Sequence, residues 1–369
     1  MAGAVKERVA RGGSPEHGRA GHRRWWARWP EWSPYAALVW SVVYGAASVY
    51  WALGGAAYPF ARTHDDRASA SLLEPSRAEI VAPILAVFCA ATVVAGVMMI
   101  RNRQGGRSRK ALLVFGWVSA GLLALVIPDY TLIAVVAFSP VLVVFAFTGI
   151  PGPQGGIEDI LYWHRDHLIL VFVGGLLWAL ATLAYQRRSA RQCLSCGRGE
   201  AGAAAWTSPG RALRWGRLAV YVAVLSTLPY DITRIAWYFG YPLGITDALL
   251  KDMQDTSGML EIGLALGVVS TLGSLLAHGL ISKWGEVWPR WVWFKAGKPV
   301  NPKTAIIPAT AVALALIPGG VMTIGHIERD EWGASGPMLF WITWGVALGA
   351  ATYSYYLRRR GGCVDCGRD

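Results

Sequence analysis

Residues 168–186 read LILVFVGGLLWALATLAYQ, a run of nineteen positions without a charged side chain. A helix needs about 20 apolar residues to cross the roughly 30 Å hydrocarbon core of a bilayer, so this run decides the fold. Further apolar blocks lie near residues 35–55, 80–100, 111–128, 131–150, 216–240, 259–280, 304–325 and 337–357. Because lipid cannot hydrogen-bond a bare backbone, the blocks predict an all-α polytopic membrane protein.

The composition excludes several classes of protein. Of the 369 residues, 54% are hydrophobic and 16% are charged, whereas soluble domains carry about 25% charged residues. This balance excludes a disordered chain, a disulfide-rich secreted module and a soluble α/β enzyme. The sequence has no G-x-x-x-x-G-K-[ST] loop and no His-Glu-x-x-His or Ser/His/Asp grouping, so no catalytic residue is predicted. Membrane orientation explains the net charge of +12, and no nucleic-acid partner is expected.

The charges between the apolar blocks predict the orientation of the chain. Five stretches are rich in Lys and Arg: residues 1–34, 101–110, 187–214, 281–303 and 358–369. The other connections hold six Lys or Arg against thirteen acids: residues 56–79, 151–167, 241–258 and 326–336. Because basic residues near helix ends favour the cytoplasmic side, both termini are expected in the cytoplasm.

This orientation requires an even number of crossings, although there are nine apolar blocks. We therefore expect eight crossings, with residues 111–128 as a crossing helix and residues 131–150 as a re-entrant or laterally packed helix. The Pro128-Asp129-Tyr130 break separates these two blocks. The alternative is nine full crossings, which would place residues 281–303 outside.

The second half of the chain repeats motifs of the first. The pattern A-T-x-x-Y-x-x-R at 181–188 and C-x-x-C-G-R at 193–198 recurs 170 residues later, at 351–358 and 363–368. Tyr44, Trp51 and Gly54 likewise correspond to Tyr230, Trp237 and Gly240. The sequence therefore predicts a basic cytoplasmic tail (1–34), a membrane repeat (35–198), a cytoplasmic linker (199–214) and a second membrane repeat (215–369).

Four crossings in each repeat would make the two copies parallel, related by an axis along the membrane normal. Several transporter families share this arrangement. Duplication is also a simple way to build a helical bundle, so the repeat by itself does not separate a carrier from a scaffold.

The two Cys-x-x-Cys-Gly motifs are the most specific chemical feature of the sequence. Together they supply four thiolates, the number that a closed tetrahedral zinc site takes. We predict a structural zinc site at Cys193, Cys196, Cys363 and Cys366, on the cytoplasmic face, where disulfides are disfavoured. Dithiol redox chemistry and unliganded surface thiols are the alternatives. The fifth cysteine, Cys89, lies in an apolar block and is expected to pack in the core.

A second candidate site lies inside an apolar block. Asp231 and Arg234 are three residues apart and therefore share one helical face, and Tyr230 precedes them. Ionisable groups at membrane depth are costly and usually face a cavity or the bundle interior. The motif predicts either a substrate, ion or lipid-headgroup site, or a structural ion pair near the outer interface.

Histidines with neighbouring acids flank two helices on the predicted outer face. His164, His167 and His326 are weak metal candidates, and a solvated acidic rim is the alternative. Only His278 lies well within an apolar block, so no haem held between two histidines is expected. Residues 284–295, WGEVWPRWVWFK, combine Trp with basic residues and are expected to lie along the inner leaflet.

Several short motifs together carry a resemblance. They are YWALGG at 50–55, IPDY at 127–130, TRxxW at 233–237, GxPLGI at 240–245, GExxPRW at 285–291, GKxV at 297–300 and the two CxxCGR ends. Over nearly the whole chain after residue 34, they resemble an uncharacterised family of multi-pass membrane proteins of actinobacteria. The resemblance implies a bacterial plasma membrane and includes Arg234 and the 285–290 loop in the family pattern, but it implies no activity.

These observations leave two classes of function open. The first is a non-enzymatic membrane protein, either a carrier of a small solute or lipid past Asp231 and Arg234 or a scaffold for a membrane protein partner, with membrane lipids around it. The second is a membrane enzyme that acts on a lipid or quinone through redox Cys pairs or an outer metal site. A carrier predicts a cavity that reaches Arg234, whereas a scaffold predicts a closed core and an exposed apolar groove.

Overall fold

Helices form the regular secondary structure of this protein. The computed structural model describes residues 25–61, 71–101, 107–133, 135–136, 163–199, 204–324 and 327–368, with no β-strand in these ranges. The α-helices are α1 (Trp29–Ala52), α2 (Ala78–Arg101), α3 (Arg107–Gly121), α4 (Trp163–Ser189), α5 (Pro209–Tyr238), α6 (Asp247–Asp255), α7 (Met259–His278), α8 (Lys303–Met322), α9 (Trp332–Ser335) and α10 (Phe340–Arg359).

Eight helical segments of the described ranges are long and apolar enough to cross a membrane. They correspond to eight of the nine apolar blocks, and the predicted class, an all-helical membrane protein, is confirmed. Large apolar side chains on their outer faces are exposed, among them Val39, Val87, Leu218 and Leu276. Because such faces are unfavourable in water, they are surfaces for lipid.

The helices extend beyond the apolar blocks from which they were predicted. α1 begins at Trp29, inside the stretch expected to be a basic tail, with Pro30 in its first turn. A proline is well placed there, because its missing N–H has no partner within the helix. α6 lies in a connection in which no helix was expected, and the Thr246 hydroxyl caps it by accepting from the Leu249 N–H.

The break after α3 directs the chain towards the second half of the molecule. α3 ends in one π-helical turn, Leu122–Val126, and the buried Asp129 carboxylate accepts a hydrogen bond from the Thr131 N–H at 2.8 Å. Ile133 then packs against the core of the second half. Most of the block 131–150 lies outside the described residues, and its path is therefore not part of this description.

The first four helices form one bundle, which we call the first bundle. α1 packs against α2 and α4, and α3 packs against α4. Its core is rich in buried aromatic side chains, among them Tyr44, Trp51, Trp178 and Tyr185. The fully buried Trp178 indole donates to the Ser41 hydroxyl at 3.0 Å, which satisfies its polar atom in an apolar interior.

The second bundle consists of α5, α7, α8 and α10 and has the same pattern of neighbours. α5 packs against α7 and α10, and α8 packs against α10. α5 and α10 come very close at Gly216, where a Cβ atom would lie 2.0 Å from the Ser354 hydroxyl oxygen. That hydroxyl donates to the Ala212 carbonyl at 2.7 Å. Small residues and hydroxyls of this kind are typical of helix contacts in membranes.

Candidate metal centre

Each Cys-x-x-Cys motif folds into the same turn just beyond a long helix. In the first motif, which follows α4, the Cys193 N–H donates to the Arg198 carbonyl at 3.0 Å and the Gly197 N–H donates to the Cys193 carbonyl at 2.8 Å. The second motif, which follows α10, repeats both bonds between Cys363, Arg368 and Gly367, at 2.9 and 2.8 Å. The two glycines have φ of 74° and 66°, the left-handed region that glycine adopts without strain.

The two turns bring all four predicted cysteines together. Their Sγ atoms all lie within 4.8 Å of one another, and two of the separations join the two motifs: 3.9 Å between Cys193 and Cys363, and 3.6 Å between Cys196 and Cys366. All four thiols are half-buried and none forms a disulfide. Four sulfurs at about 2.3 Å from one tetrahedral ion are about 3.8 Å apart. The cluster therefore fits a single metal ion, which it can hold with one ligand from each cysteine.

Two arginines from the motifs fasten the turns to each other. The guanidinium of Arg198 donates to the Arg368 carbonyl at 2.8 Å and to the Gly361 carbonyl at 3.2 Å. Arg368 donates in return to the Arg198 carbonyl at 3.1 Å. Arg198 is 7% exposed, so these bonds are shielded from water. A hydrogen bond between Ser195 and Asp365 also joins the two turns.

A further arginine ties the first turn to its own helix. Arg187, on the last turns of α4, donates to the carbonyls of Leu194 and Ser195 at 2.6 and 3.1 Å. Its guanidinium also lies over the Trp29 ring of α1, 5.4 Å from the ring centre. The first cysteine pair is thus held against the end of the first bundle.

Crowding shifts the pKa of Cys193, Cys363 and Cys366 in different directions. Burial raises the pKa of Cys193 and Cys363, but hydrogen bonds from backbone N–H groups and neighbouring thiols outweigh it, so the pKa of both lies below the ordinary value. The Arg368 N–H lowers the pKa of Cys366, but burial and the three other thiols together raise it to about 11. A cation among the four sulfurs would favour the thiolate form of each.

Asp231 and Arg234, the second predicted site, do not form an ion pair. The half-buried Arg234 guanidinium lies over the rings of Tyr230 and Trp237, 4.4 and 4.2 Å from the ring centres. It donates to two backbone carbonyls of α9, those of Gly333 and Ala334, at 3.4 and 3.2 Å.

Asp231 faces α7 instead. It is buried, and its Oδ2 accepts from the Thr271 hydroxyl at 3.0 Å, while Oδ1 has no partner among the described residues. Next to this pair, Thr227 and Ser274 share a hydrogen bond of 3.1 Å. Five cavities in the described part of the chain are lined by neither Asp231 nor Arg234. None of these five therefore provides the path that a carrier would need.

The candidate histidines make structural contacts. The His164 ring nitrogen Nδ1 lies 2.8 Å from the Pro59 carbonyl, and that of His167 lies 2.8 Å from the His164 carbonyl. His167 is fully buried with its ring edge-on to Phe60. His326 lies outside the described residues. Within the described ranges, the four cysteines are the only group of three or more potential ligands close enough to share an ion.

The aromatic segment 284–295 lies at the same end of the second bundle as the cysteines. The Glu286 carboxylate pairs with Arg358 of α10 at 2.7 Å, and the Tyr355 hydroxyl donates to the Gly285 carbonyl at 2.6 Å. Trp291 and Trp293 are 79% and 84% exposed. The segment is thus anchored at its start and presents two indoles outward.

The structure adds residues that the sequence motifs did not single out as connectors. Arg198 and Arg368 enter the sequence motifs only as the last residue of each C-x-x-C-G-R pattern, yet their hydrogen bonds join the two turns. Their common place, one residue after each Cys-x-x-Cys-Gly, was the available signal. Comparisons of this chain with protein-family models, with curated proteins and with solved structures give no significant match.

Proposed function

We propose that this protein is a membrane scaffold in which one zinc ion joins two tandem, parallel four-crossing repeats at the cytoplasmic face of a bacterial plasma membrane. The observation that carries the proposal is the cluster of four sulfurs, two from each half of the chain, within 4.8 Å of one another. As a scaffold, the protein would present a fixed helical surface to a membrane protein partner and to lipids.

The chemistry of the ligands supports zinc. Four thiolates in a tetrahedral arrangement are typical of zinc or iron–sulfur sites, and a site without an open position is typical of structural zinc. A zinc ion bound here would cross-link the two halves of the chain. The residues that would hold it are Cys193, Cys196, Cys363 and Cys366, and the Arg198 and Arg368 side chains would keep the two turns in register.

Three correspondences support the tandem repeat. The two bundles share one pattern of helix neighbours, and the two cysteine turns share their hydrogen bonds. The ends of α1 and α5 also agree, since Gly54 and Gly240 both have left-handed backbones, with φ of 88° and 83°. Each glycine lies three residues after a Trp, and the glycine N–H donates to the carbonyl of that Trp, at 3.1 and 2.9 Å.

The surroundings of Arg234 favour a scaffold over a carrier. Its guanidinium is held by two aromatic rings and two backbone carbonyls, and Gly263 and Gly267 of α7 pack against its side chain. An arginine with these contacts holds α5, α7 and α9 together. A carrier would need a cavity beside Arg234, and the cavities found among the described residues lie elsewhere.

Native mass spectrometry of the protein in mild detergent tests the zinc proposal. The wild type is expected to carry a mass excess of one zinc ion per chain, and the variant with Cys193, Cys196, Cys363 and Cys366 all changed to Ser is expected to lack it. Cys89→Ser is the matched control, since Cys89 is buried in α2, and it should keep the ion. Protein without metal that loses two hydrogens per Cys pair on oxidation would overturn the proposal in favour of redox chemistry, and a different metal mass would overturn zinc.

The few lysines of the chain allow a test of orientation. Lys251, on α6, lies at the end of the molecule opposite the cysteines, whereas Lys295 and Lys298 lie at the cysteine end, and all three are exposed. A membrane-impermeant amine reagent should label only Lys251 in intact cells and all three after permeabilisation. Labelling of Lys295 and Lys298 in intact cells would place the cysteine end outside and contradict the proposed orientation.

A further inference from the structure

A cavity of about 660 Å³ lies beside the cysteine cluster, where α4, the first cysteine turn and α10 meet. Four arginines line it, together with two exposed aromatic side chains: Arg187, Arg191, Arg198, Arg360, Trp206 and Tyr353. Cys196 also lines the cavity. It therefore sits between the two halves of the chain, at the same end of the molecule as the metal centre.

The cavity is strongly cationic. Among the described residues, no carboxylate lines it and none forms an ion pair with its four arginines. Arg187 and Arg198 direct their guanidinium groups at backbone carbonyls, which carry no formal charge. Arg191 is exposed and Arg360 is half-buried. Four arginines around one space, two of them without a carbonyl partner and none paired with a described acid, are suited to an anion such as a phosphate group.

The aromatic side chains indicate the level of the cavity relative to a membrane. Trp206 lies next to Trp215 and Tyr353, with ring centres 6.5 and 6.2 Å apart, and Tyr353 stacks on Tyr356 at 6.1 Å. Trp and Tyr are enriched where the headgroups of a bilayer begin. The cavity thus lies at the level where phospholipid headgroups are found.

An apolar groove lies next to the cavity and shares one lining residue with it. This second space, of about 340 Å³, lies between α8 and α10, and Tyr353 lines both spaces. Its walls are mostly apolar: Ile306, Leu314, Ile317, Gly345, Val346 and Gly349. A cationic space and an apolar groove that meet at one side chain have the amphipathic shape of a phospholipid.

We propose that the cavity binds the phosphate headgroup of an anionic phospholipid, with one acyl chain lying in the groove between α8 and α10. The inference goes beyond the proposed zinc scaffold, because its contacts are made by arginines, Trp206 and Tyr353 and do not depend on the identity of the metal. A bound lipid would add a second link between the two halves of the chain, since Arg191 and Arg360 come from different halves.

The test measures the lipid retained by the purified full-length protein. Protein in nanodiscs of phosphatidylglycerol and phosphatidylcholine in equal parts is released into mild detergent and weighed by native mass spectrometry. The wild type is expected to retain phosphatidylglycerol in preference to phosphatidylcholine. Arg191→Ala with Arg360→Ala should weaken this retention about 30-fold, since each basic side chain near an anionic lipid contributes a factor of about five. Ala204→Glu, which adds a carboxylate to the cavity wall, should weaken it in the same direction.

The matched control is the double variant Arg211→Ala with Arg214→Ala. Both arginines are exposed at the start of α5, at the same end of the molecule, but they do not line the cavity. This variant should retain lipid like the wild type. An equal loss in both double variants would show a general surface-charge effect and overturn the site, as would equal retention of the two lipids by the wild type.

A competition arm separates the lipid from free phosphate. If millimolar inorganic phosphate displaces the retained lipid completely, the site recognises phosphate alone and the lipid proposal is overturned. Zinc content and the unfolding temperature are recorded for every variant. Unchanged values show that a lost lipid is not a consequence of unfolding, and they keep the outcome for the lipid separate from the outcome for the metal.

Discussion

Arg198 and Arg368 exchange hydrogen bonds: each guanidinium donates to the other residue's backbone carbonyl, at 2.8 and 3.1 Å. The two residues stand at the same position of the two cysteine motifs, so the contact relates the motifs by an approximate two-fold rotation. The cross-motif pairs of sulfurs, 3.9 and 3.6 Å apart, obey the same relationship. A four-sulfur cluster thus arises from two copies of one turn, each of which contributes half of the ligands.

The two arginines do not contribute equally to this contact, and mutation of each one can show the difference in stability. Arg198 is buried and donates to two carbonyls, whereas Arg368 makes one such bond and is half-buried. Arg198→Ala should lower the free energy of unfolding by about 3 kcal/mol, because it removes the hydrogen bonds that a buried, charged side chain donates to two carbonyls. Arg368→Ala removes one such bond from a half-buried side chain and should lower it by about 1 kcal/mol. The measurement is thermal unfolding in detergent, with Arg211→Ala as an exposed control outside the cavity that should stay close to wild type. Equal losses for the two variants would contradict this account.

Removal of the metal should destabilise the protein. A metal that binds the folded but not the unfolded chain stabilises the fold by mass action, and structural thiolate sites contribute folding energy directly. Excess chelator is expected to lower the unfolding temperature of the wild type by several degrees and to leave the four-Cys-to-Ser variant unaffected. The same melting experiment with zinc added back should restore the wild-type value. A wild type that melts identically with and without chelator would show that the cluster holds no stabilising metal.

The sequence predicts the fold class well because apolar length is a strong signal. Eight of the nine blocks are long helices, and the block 131–150 is described only at its start. Block boundaries were less accurate, since helices continue into charged residues as long as backbone hydrogen bonds can form. The cysteine cluster was predictable because spacing and repetition both limit the geometry.

The contacts of Asp231 and Arg234 were beyond the reach of the sequence. A spacing of three residues places both on one helical face, but two neighbouring helices decide where each side chain turns. The Arg234 side chain runs past Gly263 and Gly267 of α7, and the carbonyls of Gly333 and Ala334 accept its N–H groups. Thr271 takes the carboxylate. The expected pairing was therefore replaced by two contacts that only the tertiary structure reveals.

Arg234 should tolerate no replacement by lysine. The planar guanidinium lies between Tyr230 and Trp237 and reaches two carbonyls, a geometry that a single ammonium group cannot reproduce. Arg234→Lys is expected to lower the free energy of unfolding by about 2 kcal/mol, the size of a desolvated cation–π contact. Arg217→Lys, exposed on the same helix, should have no measurable effect on thermal unfolding. If both variants melt together with the wild type, the contacts around Arg234 do not stabilise the fold.

Asp231 offers the sharpest distinction between scaffold and carrier. Asp231→Asn keeps an acceptor for the Thr271 hydroxyl and removes a charge at membrane depth, where charges are costly, so the variant should melt at the wild-type temperature or above it. Thr271→Val leaves the carboxylate without this donor and should cost about 1–3 kcal/mol. Under the proposed repeat, in which Tyr44 corresponds to Tyr230, Asp231 corresponds to Gly45, which lies against Cys89, so the repeat itself does not require a carboxylate at this position. A fold lost in Asp231→Asn but retained in Thr271→Val would mean that the negative charge has a bound cation as its partner, and the scaffold reading would give way to an ion site.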